Sequence, residues 1–328
     1  MRSQGFEITP DILVLIAEID EFKGAWPHLS ARASTRLTSM RQIATLDSVG
    51  ALMRLAGHQV SDDVVEAALF GRHTRVDQSG SASPYVDCAT LLDGVYDGFA
   101  HIPLGLSYIT QLWSDMRRIT SDALGVMVPA DRRDDQQGGE MPTDPQKTPP
   151  EAGKLLEWWS DMLGARTLHP LVATAIFAHQ FGMLRPCHDQ TGPVLCILTT
   201  VLLLRAGYGH IPYISLDRIV EQENRLDGAP DLGQGMRCFL QAAKHHKDQV
   251  AAKLNAQAAA YHNSLPQYVV DILEFLARHG RITTHEAAMI TGAPIPTAKS
   301  RLKKLRADGV ITVHGKGRGA FYTIASSE

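Results

Sequence analysis

The sequence predicts a mainly α-helical protein that ends in a small α+β domain. Up to about residue 265, apolar residues recur every three or four positions, which is the period of an amphipathic helix. After that point, short helical patterns alternate with strand patterns. The two parts also differ in charge, because residues 265–328 carry nine Lys/Arg against five Asp/Glu, a net charge of +4, and the rest of the chain carries −7.

The bulk composition is that of an ordinary globular protein. The chain of 328 residues is long enough for two domains, and its 44% hydrophobic and 20% charged residues fit that class. The four cysteines lack C-x-x-C spacing, which favours reduced thiols over a disulfide framework or a zinc site. The longest apolar run, 194–204, is too short to cross a bilayer, and the first twenty residues do not read as a signal peptide. We therefore expect a cytoplasmic protein with no membrane partner.

The first part of the chain divides into helical segments separated by turn residues. Thr9 and Pro10 predict the start of the first helix, since Thr is a good N-cap and Pro suits the first helical position. Residues 129–153 are rich in Pro, Gly and charge and predict a long exposed loop. The segments with helical periodicity are DILVLIAEIDEFKGAW, ARASTRLTSMRQIATLDSVGALMRLAG, SDDVVEAALFG, YVDCATLLDGVYDGF, LGLSYITQLWSDMRRIT, KLLEWWSDMLGA, HPLVATAIFAHQFGML and PVLCILTTVLLLRAG.

One of these segments, HPLVATAIFAHQFGML, is apolar on nearly all sides. A helix without a polar face must be covered on every side. The sequence therefore predicts that it lies at the centre of a helical bundle.

The C-terminal part has a distinctive order of elements. In sequence, LPQYVVDILEFLARHG predicts a helix, RITT a short strand, HEAAMITG a helix, APIP a turn, TAKSRLKKLRADG a second helix, and VITVHGKGRGAFYTIA a β-hairpin with a Gly-rich tip. This order is that of a winged helix-turn-helix, in which the second of the two paired helices enters the major groove of DNA.

The predicted recognition helix separates apolar from basic residues. Ala298, Leu302 and Leu305 recur on one face and would hold the helix on its domain. Residues near its start would reach base edges, and later lysines and the wing would contact phosphates. Two alternatives stay open: the basic residues only solubilise the helix, or the domain binds a protein. The candidate DNA-binding residues are Thr297, Lys299, Ser300, Arg301, Lys303, Lys304, Lys316 and Arg318.

The bundle resembles a known enzyme family. The stretches ITPDILVLIAEIDEFKG, HPLVATAIFAHQF and TTVLLLRAGYGHIPYISLDRIVEQENR are similar to the Fic (Fic/Doc) family of AMP transferases, in the subgroup with a C-terminal winged helix. The resemblance implies a Fic-type helical bundle followed by a winged helix-turn-helix domain. It divides the chain into an N-terminal helical region (1–110), a Fic-like core (111–255) and the winged helix (265–328).

The family's active loop, H-P-F-x-D-G-N-G-R-x-G-R, corresponds here to RPCHDQTGPVLC at 185–196. The resemblance puts Arg185 at the position of the general base, and a guanidinium stays protonated and cannot take a proton. It puts Pro193 and Cys196 where the family has arginines that neutralise the nucleotide phosphates. His188 is a weak substitute base, because it occupies a variable position. We therefore assign no catalytic residue to the vestigial loop, which comprises Arg185, Pro186, His188, Asp189, Thr191 and Gly192.

Two further features of the family are also altered. Its inhibitory motif S-x-x-x-E-G corresponds to LMRLAG, with Leu52 for the serine, Ala56 for the glutamate and Gly57 retained. Its substrate-binding hairpin corresponds to residues 125–147, which have too many Pro, Gly and charged residues to predict a paired hairpin.

The sequence thus predicts a degenerate Fic-fold protein that is catalytically inactive and regulates transcription through its winged helix, with the bundle serving dimerisation or ligand sensing. DNA is the expected partner, and a protein partner or homodimer stays open. No cofactor is required; ATP and Mg²⁺ would bind only if Asp189, Thr191 and Gly192 keep residual nucleotide binding, with Asp189 holding the metal. The alternatives are a nucleotidyl transferase of protein hydroxyls that uses Asp189 with Mg²⁺ and Arg185 as a phosphate clamp, and an interaction protein that inhibits an active relative.

Overall fold

The protein is a helical bundle joined to a small domain with a three-stranded sheet, as the sequence predicts. A computed structural model describes residues 9–70, 83–124, 150–187, 190–223, 231–262, 266–315 and 317–325. The helices are α1 (Pro10–Arg32), α2 (Ser34–Leu55), α3 (Asp62–Phe70), α4 (Pro84–Gly98), α5 (Leu106–Leu124), α6 (Pro150–Gly164), α7 (Pro170–Leu184), α8 (Thr191–Arg205), α9 (Leu216–Glu223), α10 (Leu232–His262), α11 (Gln267–His279), α12 (Thr284–Ile290) and α13 (Ile295–Ala307), and the strands are β1 (Ile282–Thr283), β2 (Ile311–His314) and β3 (Phe321–Ile324).

Helices α7 and α8 form the centre of the bundle. Residues 171–178 of α7 are all buried, and α7 packs against α6, α8 and α10. The prediction of a central apolar helix is therefore confirmed. His169 starts α7, because its Nδ1 accepts a hydrogen bond from the backbone N–H of Leu171 at 3.3 Å. Its Nε2 lies 2.8 Å from Asp20 on α1, which ties the start of α7 to that helix.

Helix α1 begins at Pro10, directly after Thr9, as the sequence predicts. It continues to Arg32 with Pro27 inside it, beyond the end that the sequence indicates. A proline inside a helix removes one backbone hydrogen bond. The extension packs Leu29 against a second apolar cluster that already contains Trp26, and the burial of Leu29 offsets part of that loss.

The predicted exposed loop at 129–153 is wrong at its end, because α6 begins at Pro150. Ala152 is fully buried, and a Cβ on Gly153 would lie 2.9 Å from Cβ of Leu106. The small side chains of these two residues let the first turn of α6 pack closely on the start of α5. Residues 125–149, which include the whole segment assigned to the family's hairpin, lie outside the described residues.

The C-terminal domain has the predicted order of elements. Its sheet runs β1-β3-β2 and is antiparallel throughout, with Tyr322 paired to both Ile282 and Val313. Helix α13 starts at Ile295, so Ile295 and Pro296 form its first turn and not the turn predicted for them. Proline suits this position because its fixed φ is helical and the first N–H groups of a helix need no partner within it.

The winged helix is packed onto the bundle. Helices α11 and α12 contact α2, and Ile272, Phe275 and Ile290 belong to the same buried core as Val49 of α2. Helix α13 makes its main contacts with α12 and β2. The division of the bundle at residues 110 and 111 stays a prediction.

The structure also bears on the cysteines and on membrane-spanning helices. The four cysteines all lie among the described residues, and none of them forms a disulfide. Among the described residues, no helix is both long enough and apolar enough to cross a membrane.

Candidate functional site

The two faces of α13 are separated as the sequence predicts. Ala298, Leu302 and Leu305 are at most 2% exposed and hold the helix on the domain. On the other face, five of the candidate DNA-binding residues are exposed: Thr297, Lys299, Ser300, Lys303 and Lys304. This arrangement leaves the basic side of α13 accessible to a large polyanion.

Arg301 differs from the other candidates. Its guanidinium carbon lies 4.7 Å from the ring centre of Tyr268 on α11, and the residue is half-buried. A guanidinium over an aromatic face is held by the ring quadrupole. The nearby carboxyl of Asp271 also attracts it, although burial raises the pKa of Asp271 to about 6. Arg301 therefore needs to leave Tyr268 before it can reach a base edge.

The wing between β2 and β3 carries the last two candidates. Lys316 lies outside the described residues, and Arg318 belongs to a 3₁₀ turn, Gly317–Gly319. Gly315 and Gly317 have φ of +79° and +68°, a conformation that favours glycine over other residues. The Gly-rich tip is thus a hairpin turn.

Two exposed residues beside the sheet were not singled out from the sequence: His314 at the end of β2 and Arg281 just before β1. His314 stacks on Phe321 with ring centres 5.2 Å apart, and Arg281 lies 6.0 Å above the same ring. His314 is also 2.9 Å from the hydroxyl of Thr323. Both His314 and Arg281 are exposed and add donors beside the sheet. The alternation of β2 and β3 could have indicated that His314 and Phe321 share a face.

A network of ion pairs joins the winged helix to the bundle. Asp47 of α2 is 2% exposed and accepts hydrogen bonds from Arg218 of α9, at 2.8 Å, and from Arg278 of α11. Arg36 of α2 is 1% exposed and pairs with Glu274 of α11 at 2.6 Å. A buried charge needs a partner, so these pairs favour one arrangement of α11 on α2.

Two more contacts lie on the same junction. The hydroxyl of Ser39 on α2 donates to the backbone carbonyl of Ile290 at the end of α12. His279 of α11 has its Nδ1 3.2 Å from a carboxylate oxygen of Glu66 on α3, and both side chains are 2% exposed. The junction therefore holds both α11 and α12, and α13 packs on α12.

The loop between α7 and α8 is short and closed by its own hydrogen bonds. Arg185 ends α7 in a left-handed conformation with φ of 45° and is exposed, whereas Pro186 and Cys187 are buried. The N–H of Cys187 donates to Oγ1 of Thr191 at 3.2 Å, and the N–H of Gln190 donates to the carbonyl of Cys187 at 3.0 Å. His188 and Asp189 lie outside the described residues.

The end of α2 lies against the start of α8. A Cβ on Gly192 would be 3.7 Å from Cβ of Leu55. Leu52 is fully buried, and Gly57 ends the segment with φ of +87°. The segment LMRLAG is thus close to the first turn of α8.

Comparison with known proteins identifies only the C-terminal part. Residues 267–312 match a family described as winged helix-turn-helix DNA-binding, which covers α11 to the start of β2. No curated protein matches the chain, and no family match supports the resemblance of the bundle to the Fic family. The match agrees with the element order and with the exposed basic face of α13, and the chain therefore carries a C-terminal winged helix-turn-helix DNA-binding domain.

Proposed function

We propose that the protein is a transcriptional regulator that works in the cytoplasm and binds DNA through the exposed face of α13. The observation that carries this proposal is the separation of α13 into a buried apolar face and an accessible basic face. Lys299, Lys303 and Lys304 would neutralise phosphates, and Thr297 and Ser300 at the start of the helix would reach base edges. The acidic remainder of the chain is repelled by DNA, so the charge distribution favours contact through the C-terminal domain alone.

Substituting one lysine of α13 tests this proposal. Lys303→Glu should weaken binding to duplex DNA about tenfold and lower the slope of the salt dependence, because a phosphate contact is replaced by repulsion. The measurement is fluorescence anisotropy of a labelled 30-base-pair duplex titrated with the full chain at several salt concentrations.

The matched control is Lys154→Glu, an exposed lysine on α6 of the bundle. It changes the net charge by the same amount and should leave DNA affinity nearly unchanged. An equal loss of DNA affinity in the two variants would mean that binding depends only on the net charge of the chain. Absence of salt-dependent binding by the wild-type chain would overturn the proposed function.

For the bundle, we propose a Fic-like scaffold that no longer transfers AMP. Three observations support this proposal. The N–H of Cys187 is used within the loop by Thr191, and Pro193, in the first turn of α8, has no N–H to offer a phosphate. Arg185 is exposed at the position where the family has its base. The proximity of Leu55 to Gly192 is the arrangement that the resemblance implies for the inhibitory segment.

Incubation with Mg²⁺ and α-³²P-labelled ATP should leave the chain, and proteins of a cell extract, unlabelled. Titration calorimetry with ATP and Mg²⁺ should show no binding heat, because the loop lacks the arginines that neutralise phosphates. Labelling that disappears in an Asp189→Ala variant would show a working transferase and contradict the proposal.

A further inference from the structure

A cavity of about 760 Å³ opens at the junction between the bundle and the winged helix. Its walls come from α2, from the ends of α1 and α3, from α4 and from α12 of the winged helix. Pockets that bind small molecules are roughly 300–1,000 Å³ and often lie between domains. This cavity has the size and the position of a ligand site, and it is separate from the basic face of α13.

Part of the cavity wall is apolar, and polar residues such as Thr45 and Tyr213 line the rest. Leu37, Leu69 and Met289 supply aliphatic and thioether surface, with Met289 contributed by α12. The side-chain oxygen of Gln42 is buried and has no hydrogen-bond partner among the described residues. A buried acceptor without a donor is costly, so rotation of the Gln42 side chain toward the cavity is favoured once a bound molecule offers a donor.

Two charged residues, Arg41 and Asp93, line the cavity, and Asp97 lies beside them outside the lining. Arg41 is held by Asp93 at 3.1 Å and by Asp97 at 2.8 Å, so these three groups carry a net charge of −1. Asp93 is 55% exposed and lines the cavity, so one of its oxygens is accessible to a ligand. An amine would be attracted here, whereas a carboxylate of the same shape would be repelled.

The cavity shares its helix with the contacts that hold the winged helix. Leu37 and Gln42 line the cavity from α2, and Ser39 on the same helix donates to the carbonyl of Ile290. Ile290 directly follows Met289, which is itself a wall residue. A molecule that fills the cavity therefore touches both sides of the α2–α12 contact.

We infer that this cavity is an effector site for an amphipathic amine, with an aromatic or aliphatic body against Leu37, Leu69 and Met289 and an ammonium group toward Asp93. Its effect on DNA affinity rests on the proposed function of the winged helix. The ligand contacts both the bundle and the winged helix, so its affinity depends on how the two parts are arranged. A ligand shifts such an arrangement by binding one state more tightly than the other.

The first experiment measures binding alone. Titration calorimetry of the full chain with 1-naphthylmethylamine, a cation at pH 7, should give a dissociation constant at least five times smaller than that of 1-naphthylacetate, an anion with the same ring. Asp93→Asn should remove most of this preference, and Ala89→Phe should abolish binding by filling the cavity. Asp161→Asn, on an exposed position of α6, is the matched control and should leave the binding of both probes unchanged.

Several outcomes would overturn the site. These are no binding of either probe at millimolar concentration, tighter binding of the acid, or unchanged binding in both Asp93→Asn and Ala89→Phe. Asp93 is exposed, so Asp93→Asn should fold normally. It therefore tests the site even where Ala89→Phe fails to fold.

The second experiment measures coupling. A saturating concentration of the amine should change the anisotropy-derived affinity for duplex DNA at least threefold, and this change should be absent in Ala89→Phe. Unchanged DNA affinity in the wild-type chain with the amine bound would overturn the effector role. Lack of any DNA binding without the amine would instead contradict the proposed function, while calorimetry would still decide whether the cavity binds amines.

Discussion

Asp47→Ala should lower the free energy of unfolding by about 2 kcal/mol, since two charge-assisted hydrogen bonds are lost and the partly buried Arg278 loses its carboxylate. Asp47 is 2% exposed and accepts hydrogen bonds from Arg218 and Arg278, which are each partly buried. The substitution removes the carboxylate from Arg278, whereas Arg218 keeps its ion pair with Asp62 at 2.8 Å. Urea unfolding of the full chain at pH 7 measures the loss.

The control for this prediction is Asp248→Ala on α10. Asp248 pairs with Lys244 at 2.7 Å, but its side chain is 46% exposed, and exposed pairs are worth about 0–1 kcal/mol. An equal loss of unfolding free energy in the two variants would contradict the stabilising role of Asp47 at the junction. Because Asp47 also positions α11, the Asp47→Ala chain should bind duplex DNA more weakly than the control variant does.

Asp217→Asn should make the protein more stable above about pH 6. Asp217 is 3% exposed, and its burial raises the pKa of its carboxyl from 3.8 to about 6, although hydrogen bonds from Ser48 and Cys196 oppose the shift. Below about pH 4 the carboxyl is protonated in both the folded and the unfolded chain. Between pH 4 and 6 the folded chain keeps the proton that the unfolded chain has lost, so stability falls as pH rises.

Above about pH 6 the whole penalty is present, and its size is on the order of 3 kcal/mol. Asparagine has nearly the same shape and no charge, so the variant does not incur this penalty. Urea unfolding from pH 4 to pH 7.5 measures the free energy of unfolding of both chains. The variant should become increasingly more stable than the wild type as pH rises. Asp161→Asn, at an exposed position, should show no such growth. A stability difference between Asp217→Asn and wild type that stays constant across this pH range would contradict the prediction.

The features that the sequence predicted correctly are those that repeat along the chain. The apolar character of α7 on all sides indicated a central helix, and residues 171–178 are buried. The spacing of Ala298, Leu302 and Leu305 predicted the buried face of α13. In both cases the signal is local, because the period of apolar residues reports which side of a helix is covered. The altered loop at 185–196 was also visible in the sequence, but what it implies for catalysis stays a prediction.

The tertiary structure decided which elements meet. Asp47 contacts partners 171 and 231 residues away in the sequence, and neither its spacing nor its type marked it as the centre of the junction. Arg301 has the spacing of a DNA-contacting residue, and only the packing of α11 against α13 brings Tyr268 beneath it. The cavity likewise needs Met289 of the winged helix opposite Leu37 of the bundle. The physical reason is that periodicity specifies that a face is buried, whereas the identity of the covering residues depends on how distant helices pack.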